Sequence, residues 1–190
     1  INIPDISKDE ILIKVKSAGV NRPDIIQREG NYPAPPGHSK TLGLEVSGII
    51  EKVGINVKKF LVGDKVAALV NGGGYAEFCK ANESLVFHIP KNITFNEAAC
   101  IPECFFTAWS NIVMRGEIKK NQKILIHGGT SGVGIASIQI AKLFDSYIIT
   151  TVGNKEKVSF CKKLGVDKTI NYNESNFFEE IKNSQISSVD

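Results

Sequence analysis

A glycine-rich stretch near the middle of the chain could bind an anionic cofactor. It reads His-Gly-Gly-Thr-Ser-Gly-Val-Gly over 127–134, directly after an apolar run at 124–126 and before a mostly apolar segment that reaches Phe144. This order predicts a buried strand, a tight turn and a buried helix. Glycines let the backbone approach a pyrophosphate closely, and the first N–H groups of a helix have no intrahelical acceptor. The stretch therefore predicts a dinucleotide site with six contributing residues: Gly129, Thr130, Ser131, Gly132, Val133 and Gly134.

The fingerprint G-x-G-x-x-G is incomplete, because its middle position is Ser131. Taken alone, such a motif is weak, and an ordinary tight turn between a strand and a helix is the alternative.

The second predicted strand of this region, 146–152, ends without an acidic residue. In an NAD site an Asp or Glu about twenty residues beyond the glycines accepts hydrogen bonds from the ribose 2′-hydroxyl. Here that place reads Thr-Val-Gly-Asn over 151–154, followed by Lys155 and Lys157. A neutral or basic strand end suits a 2′-phosphate, so we expect NADPH, with contacts from Gly153, Asn154 and Lys157. The alternative is that the lysines only form the solvated face of a helix that begins here.

Composition excludes several classes of function. The 190 residues carry a formal net charge of +3, spread along the chain, so no nucleic-acid-binding patch is expected. The apolar runs are too short to cross a bilayer, and the N-terminal residues do not resemble a signal peptide, so we expect a cytoplasmic protein. The four cysteines form no C-x-x-C pair and have no neighbouring histidines to complete a zinc site. We expect reduced, mostly buried thiols.

Two kinds of pattern divide the chain. Short alternating segments separated by glycines predict a small β-rich, barrel-like domain, with strands at 10–17, 42–54 and 65–70, a helical turn at 25–30 and a proline-rich surface loop at 31–37. A helix is expected at 95–115. Strands then alternate with helices, with strands at 123–127, 146–152 and 168–172 and a further helix at 175–183. The predicted fold class is α/β, with domains at 1–112 and 113–190.

Several motifs occur together in one order along essentially the whole chain. They are Gly-Val-Asn-Arg-Pro-Asp at 19–24, Gln-Arg-Glu-Gly-Asn-Tyr at 27–32, Pro-Pro-Gly at 35–37, Leu-Gly-Leu-Glu-Val-Ser-Gly at 42–48, Gly-Asp at 63–64, three glycines at 72–74, Ile-Pro-Glu at 101–103, Thr-Ala at 107–108 and the stretch at 127–134. In these motifs the chain resembles the zinc-free medium-chain dehydrogenases/reductases of the quinone oxidoreductase (zeta-crystallin-like) group, and most of all their p53-inducible branch. The resemblance implies a GroES-like catalytic domain followed by a Rossmann domain, NADPH as cofactor and a homodimer for the full-length relatives.

Two positions differ from the zinc-dependent relatives in this resemblance. Asn21 stands where those relatives carry a ligand cysteine, and Leu44 replaces the histidine of their Gly-His-Glu motif. Neither an amide nor an aliphatic side chain can replace a thiolate or an imidazole on Zn²⁺. We therefore expect no metal, and a substrate that is already electrophilic, namely a quinone or a conjugated enone.

The resemblance also implies roles for individual side chains. Asn21 would donate a hydrogen bond to the developing oxyanion, although it could instead support a left-handed turn. Tyr32 would contact the cofactor and Tyr172 would lie beside the 2′-phosphate. The alternatives are a surface loop tyrosine and an ordinary aromatic residue at a strand end. Asp24 could orient the Asn21 loop or cap the short helix that follows.

The predicted dinucleotide fold includes only three strands. A fold of this type orders its strands 3-2-1-4-5-6, and the sequence ends at 189–190, where the fourth strand is expected to begin. We therefore expect a chain truncated at its C-terminus, an incomplete enzyme with one exposed strand edge and weak cofactor binding. A non-catalytic fragment and an enoyl reductase are the alternatives to a quinone reductase.

Overall fold

The computed structural model describes residues 1–184, 186 and 188–190. Its chain divides into two units, Ile1–Glu103 and Cys104–Asp190. The domain division predicted at 112/113 falls inside the second unit, and it stays a prediction.

The first unit contains one five-stranded antiparallel sheet with the order β4-β1-β2-β3-β5. The strands are β1 (Glu10–Ala18), β2 (Glu45–Val53), β3 (Lys65–Leu69), β4 (Phe78–Asn82) and β5 (Val86–His88). Alternating apolar side chains of these strands form the core of the unit, which includes Ile11, Ile13, Val46, Ile50, Val66, Ala68, Cys79 and Ala81. The β-rich first domain predicted from the sequence is confirmed.

A bulge in β1 shows why a glycine stands inside β2. The register changes between Val15, which faces Gly48, and Ser17, which faces Ser47. A Cβ atom on Gly48 would lie 2.2 Å from the carbonyl oxygen of Lys14, so only glycine allows the two strands to approach this closely.

The first helix, α1, spans Arg22–Arg28 and begins earlier than the helical turn predicted at 25–30. Asn21 is the N-cap residue and Pro23 stands in the first turn, where a missing N–H costs no hydrogen bond. The helical turn predicted at 25–30 therefore leaves out the first residues of α1, Arg22–Asp24.

The helix predicted at 95–115 is interrupted. The structure has α2 (Phe95–Ala98) and α3 (Pro102–Trp109), followed by a π-helical segment at Ser110–Arg115. Pro102 lacks an N–H and disfavours a helical residue before it, so it ends one helix and starts the next.

The second unit contains a parallel sheet with the order β6-β7-β8. The strands are β6 (Lys123–His127), β7 (Tyr147–Val152) and β8 (Lys168–Asn171), and the helices are α4 (Gly132–Leu143), α5 (Lys155–Lys163) and α6 (Phe177–Lys182). Ile126, Ile138, Ile148 and Cys161 pack together in the core of this unit. The strand order is that of half a Rossmann fold, so the predicted partial Rossmann domain is confirmed.

In the described sheet, β6 pairs with β7 alone. The backbone of Lys123 also exchanges two hydrogen bonds with Asp190, one from Asp190 N–H to the Lys123 carbonyl oxygen (3.0 Å) and one from Lys123 N–H to Asp190 Oδ2 (2.8 Å). The rest of β6 has no other strand partner among the described residues.

Two further expectations from the sequence concern the burial of the cysteines and the absence of a membrane-spanning segment. Cys79 and Cys161 are buried, whereas Cys100 is exposed, so the expectation of mostly buried thiols holds for only part of the set. Among the described residues no helix combines the length and the apolar composition needed to span a bilayer. The cytoplasmic location stays a prediction.

Candidate functional site

The glycine turn connects β6 to α4 in the second unit. A Cβ atom on Gly134 would lie 2.3 Å from the carbonyl oxygen of Gly128, and one on Gly129 would lie 2.2 Å from Thr150 Oγ1. Neither glycine can therefore carry a side chain without moving the strand or the turn. This close packing of turn, helix and strand is the arrangement that the glycines of a dinucleotide fingerprint provide.

Ser131 explains the departure from the G-x-G-x-x-G fingerprint. It is the N-cap residue of α4, and its Oγ accepts a hydrogen bond from the Gly134 N–H at 3.0 Å. The serine thus satisfies one of the free N–H groups of the helix. Among the described residues the N–H groups of Gly132 and Val133 donate to no protein acceptor. Two donors at the positive end of α4 are therefore free to bind an anion.

The ends of β7 and β8 bring the predicted 2′-phosphate residues together. A Cβ atom on Gly153 would lie 2.6 Å from Tyr172 Oη, so the tyrosine hydroxyl lies against this glycine. Asn154 is the N-cap residue of α5, with its Oδ1 accepting the Lys157 N–H at 2.9 Å. The structure therefore places Gly153, Asn154 and Tyr172 at one edge of the sheet, the carboxyl ends of β7 and β8, with the backbone of Lys157 in the adjoining first turn of α5.

The charges at this edge distinguish the two lysines. Lys155 Nζ lies 3.7 Å from Glu174 Oε1, in an exposed ion pair. Among the described residues Lys157 has no ion-pair partner. Lys157 is therefore the better candidate of the two for an anionic ligand.

In the first unit, Asn21 lies between β1 and α1. Its side-chain Nδ2 donates a hydrogen bond to Glu45 Oε1 at 2.7 Å, and its backbone N–H donates to Asp24 Oδ2 at 2.9 Å. The second Nδ2–H has no acceptor among the described residues. The Asn21 amide is thus held by one N–H while the other stays available as a donor.

Asp24 performs both roles that the sequence left open. It is buried in the first turn of α1, where its carboxylate accepts the Asn21 N–H and therefore caps the helix. The same carboxylate accepts the Gly43 N–H at 3.0 Å and the Tyr75 hydroxyl at 3.0 Å. Asp24 consequently fixes the Asn21 loop against two distant segments.

Glu45 is the group that the sequence analysis missed. It begins β2, is 2% exposed, and accepts hydrogen bonds from Asn21 and from the Glu103 N–H at 2.9 Å. Burial raises the pKa of the Glu45 carboxyl, and the negative charge of Asp24 raises it further, whereas the two N–H donors lower it. Its only signal in the sequence was a carboxylate between apolar residues at the start of a predicted strand.

Two neighbours of Glu45, the side chains of Glu103 and Tyr75, also have raised pKa values. Burial, then the charges of Glu45 and Asp24, raises the pKa of Glu103. Burial and the hydrogen bond to Asp24 raise the pKa of Tyr75 to about 12. The cluster therefore holds its polar groups in a setting that disfavours additional negative charge.

The remaining predicted residues are less constrained. Tyr32 lies in the loop of the first unit with 47% of its surface exposed, as the sequence predicted for that loop. Leu44 lies beside Glu45, where zinc-dependent relatives would place a ligand. Within the described part of the chain no three His, Cys, Asp or Glu side chains are grouped to hold a metal ion.

Comparisons with known proteins define the class. The family model for the alcohol dehydrogenase GroES-like domain matches residues 7–91, and the model for zinc-binding dehydrogenases matches residues 132–189. Together with the fold, they show a quinone oxidoreductase-like chain of the medium-chain dehydrogenase/reductase superfamily.

The individual relatives agree with this class. The chain is 35% identical to the quinone oxidoreductase of Sus scrofa over 97% of its own length and 56% of that protein. It superposes on the crystal structure of the CurK enoyl reductase with a TM-score of 0.90 at 30% identity, covering all of this chain and 60% of the other. It also superposes on the Escherichia coli quinone oxidoreductase complexed with NADPH, with a TM-score of 0.81 at 31% identity, over 96% of this chain and 56% of the other. The chain therefore spans little more than half the length of these relatives.

Proposed function

We propose that the chain is the NADPH-binding and substrate-polarising part of a zinc-independent oxidoreductase that reduces quinones or other conjugated carbonyl compounds. The observation that carries the proposal is the turn at 127–134, in which the N–H groups of Gly132 and Val133 are free and glycines allow close approach. NADPH, when bound, would supply the hydride. The similarity to quinone oxidoreductases supports the choice of reaction.

The residues present fit a dinucleotide. The free N–H groups of α4 suit the pyrophosphate, together with the turn residues Gly129, Thr130 and Ser131. An exposed Lys157 and the hydroxyl of Tyr172, beside Gly153 and Asn154, suit a 2′-phosphate better than a 2′-hydroxyl. We assign Tyr32 a contact with the cofactor only on the family resemblance.

Asn21 is the proposed donor to the substrate carbonyl. As hydride adds to a quinone or enone, negative charge develops on the carbonyl oxygen, and a neutral N–H donor stabilises it. The second Nδ2–H of Asn21 is available for this bond, since Glu45 accepts the first. Asn21 and Leu44 cannot ligate zinc as a thiolate and an imidazole do, so the proposed reaction uses substrates that need no Lewis acid.

The activity belongs, in this proposal, to a protein that includes the rest of the fold. The described sheet has three of the six strands of a complete dinucleotide fold. The chain alone should therefore bind NADPH weakly and turn over negligibly, and the whole protein should form a homodimer, as we infer for the full-length relatives. Within the group, we propose the p53-inducible branch only on the family resemblance.

An enoyl reductase is the second candidate. The superposition of the whole chain on the CurK enoyl reductase favours this candidate, because that protein shares the fold and is an enoyl reductase. Both reactions use hydride addition to a conjugated carbonyl, so the residues named above serve either one.

The test compares two proteins and two substrates. The 190-residue chain and a version extended by the C-terminal half of a relative are each assayed for NADPH oxidation with 1,2-naphthoquinone and with an enoyl thioester. We expect turnover by the extended protein, faster with the quinone, and negligible turnover by the chain alone. Faster reduction of the thioester would favour the second candidate. Equal turnover by both proteins would contradict the incomplete-enzyme proposal, and no turnover by the extended protein would contradict the function.

A further inference from the structure

The Glu45 carboxylate is buried without a cation. It is 2% exposed, and none of the ion pairs formed by the described residues includes it. Among the described residues its two oxygens accept hydrogen bonds from the Asn21 amide and the Glu103 N–H alone, at 2.7 and 2.9 Å. Burying a carboxylate without a positive partner is costly, and a neutral residue of similar size would usually fit such a site at lower cost. The bond from the Glu103 N–H, at the start of α3, offsets part of this cost but brings no full positive charge to the carboxylate.

The surrounding chain is shaped to accept this carboxylate. A Cβ atom on Gly19 would lie 2.0 Å from Glu45 Oε1, so glycine at this position leaves the space that the carboxylate fills. In the described part of the chain, the titratable groups that interact electrostatically with Glu45 are Asp24 on α1, Glu103 on α3, and Tyr75 and Cys100 outside regular helices and strands. All four are acids, so none of them can neutralise its charge.

An ionised carboxylate can only accept hydrogen bonds, and this fixes the orientation of the neighbouring amide. The amide of an asparagine has an NH₂ side and an oxygen side that are similar in shape. Beside Glu45, only the NH₂ side can be placed toward the carboxylate. The remaining N–H of the same NH₂ group is then held at a defined position.

We propose that Glu45 is a positioning residue that selects the donor face of the Asn21 amide and holds its second N–H ready for the substrate oxygen. This rests on the proposed function of Asn21. Protonation of Glu45 would let its hydroxyl donate to the amide oxygen of Asn21. The amide group could then rotate by half a turn, and its second N–H would no longer be held at the position proposed for the substrate oxygen. The positioning should consequently depend on the ionisation of Glu45.

The first test reads the amide directly and needs no turnover. The Asn21 side-chain NH₂ signal of the ¹⁵N-labelled 190-residue chain, identified by its loss in Asn21→Ala, is followed through a titration. We expect it to shift with the ionisation of Glu45, to lose that transition in Glu45→Gln, and to keep it in Glu51→Gln. Glu51 is an exposed carboxylate of the same strand, so it is a matched control. An NH₂ signal that titrates equally with and without Glu45 would overturn the proposal.

The second test separates positioning from folding, in the extended protein. Glu45→Gln should lower kcat with the quinone by about ten- to hundredfold, as expected for losing a hydrogen bond to a charged group, with KM for NADPH unchanged. Combining Asn21→Asp with Glu45→Gln restores an amide–carboxylate hydrogen bond of reversed polarity. That pair should recover the free energy of unfolding without recovering kcat.

Two outcomes of this second test would contradict the proposal: full kcat in Glu45→Gln, or recovery of kcat in the reversed pair. Failure of the extended wild-type protein to reduce any substrate would instead contradict the proposed function. In that case the NMR titration still decides whether Glu45 orients the Asn21 amide.

Discussion

The two units present polar groups to a ligand in different ways. In the second unit the donors are backbone N–H groups at the start of α4, and glycines make them accessible. In the first unit the proposed donor is the side chain of Asn21, whose amide is held by the buried carboxylate of Glu45 and whose backbone N–H is held by that of Asp24. A backbone site tolerates changes of side chain but not an added Cβ atom. A side-chain site should show the opposite behaviour.

The largest expected effect is that of a side chain inside the glycine turn. Gly134→Val would place a Cβ atom 2.3 Å from the Gly128 carbonyl oxygen, so the turn or the helix must move. We expect NADPH affinity to fall on the order of a hundredfold or more, a loss of about 3 kcal/mol. Fluorescence titration with NADPH measures it.

Leu143→Ala is the control for this prediction, because Leu143 ends the same helix and is 75% exposed. NADPH affinity in this variant should stay at the wild-type level. Retention of NADPH binding by Gly134→Val would show that the turn is not the pyrophosphate site.

A smaller effect is expected at the edge formed by β7 and β8. Lys157→Glu should narrow or invert the preference for NADPH over NADH, because one charge-assisted hydrogen bond to a phosphate contributes roughly 1.5–3 kcal/mol, or about ten- to a hundredfold in affinity. Titrating both cofactors against the variant measures this ratio. Lys163→Glu makes the same charge change in the last turn of α5 and should leave the ratio unaltered. If the ratio of NADPH to NADH affinity is unaltered in Lys157→Glu, Lys157 does not contact the 2′-phosphate.

The first unit should differ in how its stability responds to pH. Because burial raises the folded-state pKa of Glu45, the folded protein binds that proton more tightly than the unfolded chain does. The contribution of Glu45 to the free energy of unfolding is fully present below the usual glutamate pKa, and it is lost as the pH rises through the raised folded-state pKa. The unfolding free energy of the wild type should therefore fall relative to Glu45→Gln over that range, by at most about 1.4 kcal/mol per pH unit.

Urea unfolding of both proteins at a series of pH values measures this difference. A difference that stays constant across the acid range would mean that Glu45 is not perturbed by burial.

No effect at all is expected from metal removal. The purified protein should contain no stoichiometric zinc, and chelators should leave turnover of the extended protein unchanged, because Asn21 and Leu44 cannot ligate zinc as a cysteine and a histidine do. Elemental analysis that finds one zinc per chain would contradict the comparison with zinc-dependent relatives.

The same contrast explains what the sequence could predict. The turn and strands of the second unit follow from continuous local patterns, and β6 was predicted with the bounds that the structure has, Lys123–His127. The serine at position 131 is visible in the sequence as a departure from the fingerprint. Its role as the N-cap of α4 required the hydrogen bond to Gly134.

The cluster of the first unit could not be predicted in this way. Glu45 and Glu103 are 58 positions apart, and Tyr75 reaches Asp24 across 51 positions. Such contacts depend on how the strands fold back, which periodicity does not report. The roles proposed for Asn21, Tyr32 and Tyr172 came from the family resemblance, and they stay predictions.

The most direct measurement is the affinity of the 190-residue chain for NADPH and for NADH, by fluorescence titration under identical salt conditions. Binding through the turn at 127–134, with Lys157 and Tyr172 at the 2′-phosphate, predicts weak binding of NADPH and weaker binding of NADH. Equal affinities, or no binding of either cofactor by a folded chain, would contradict the proposed nucleotide site.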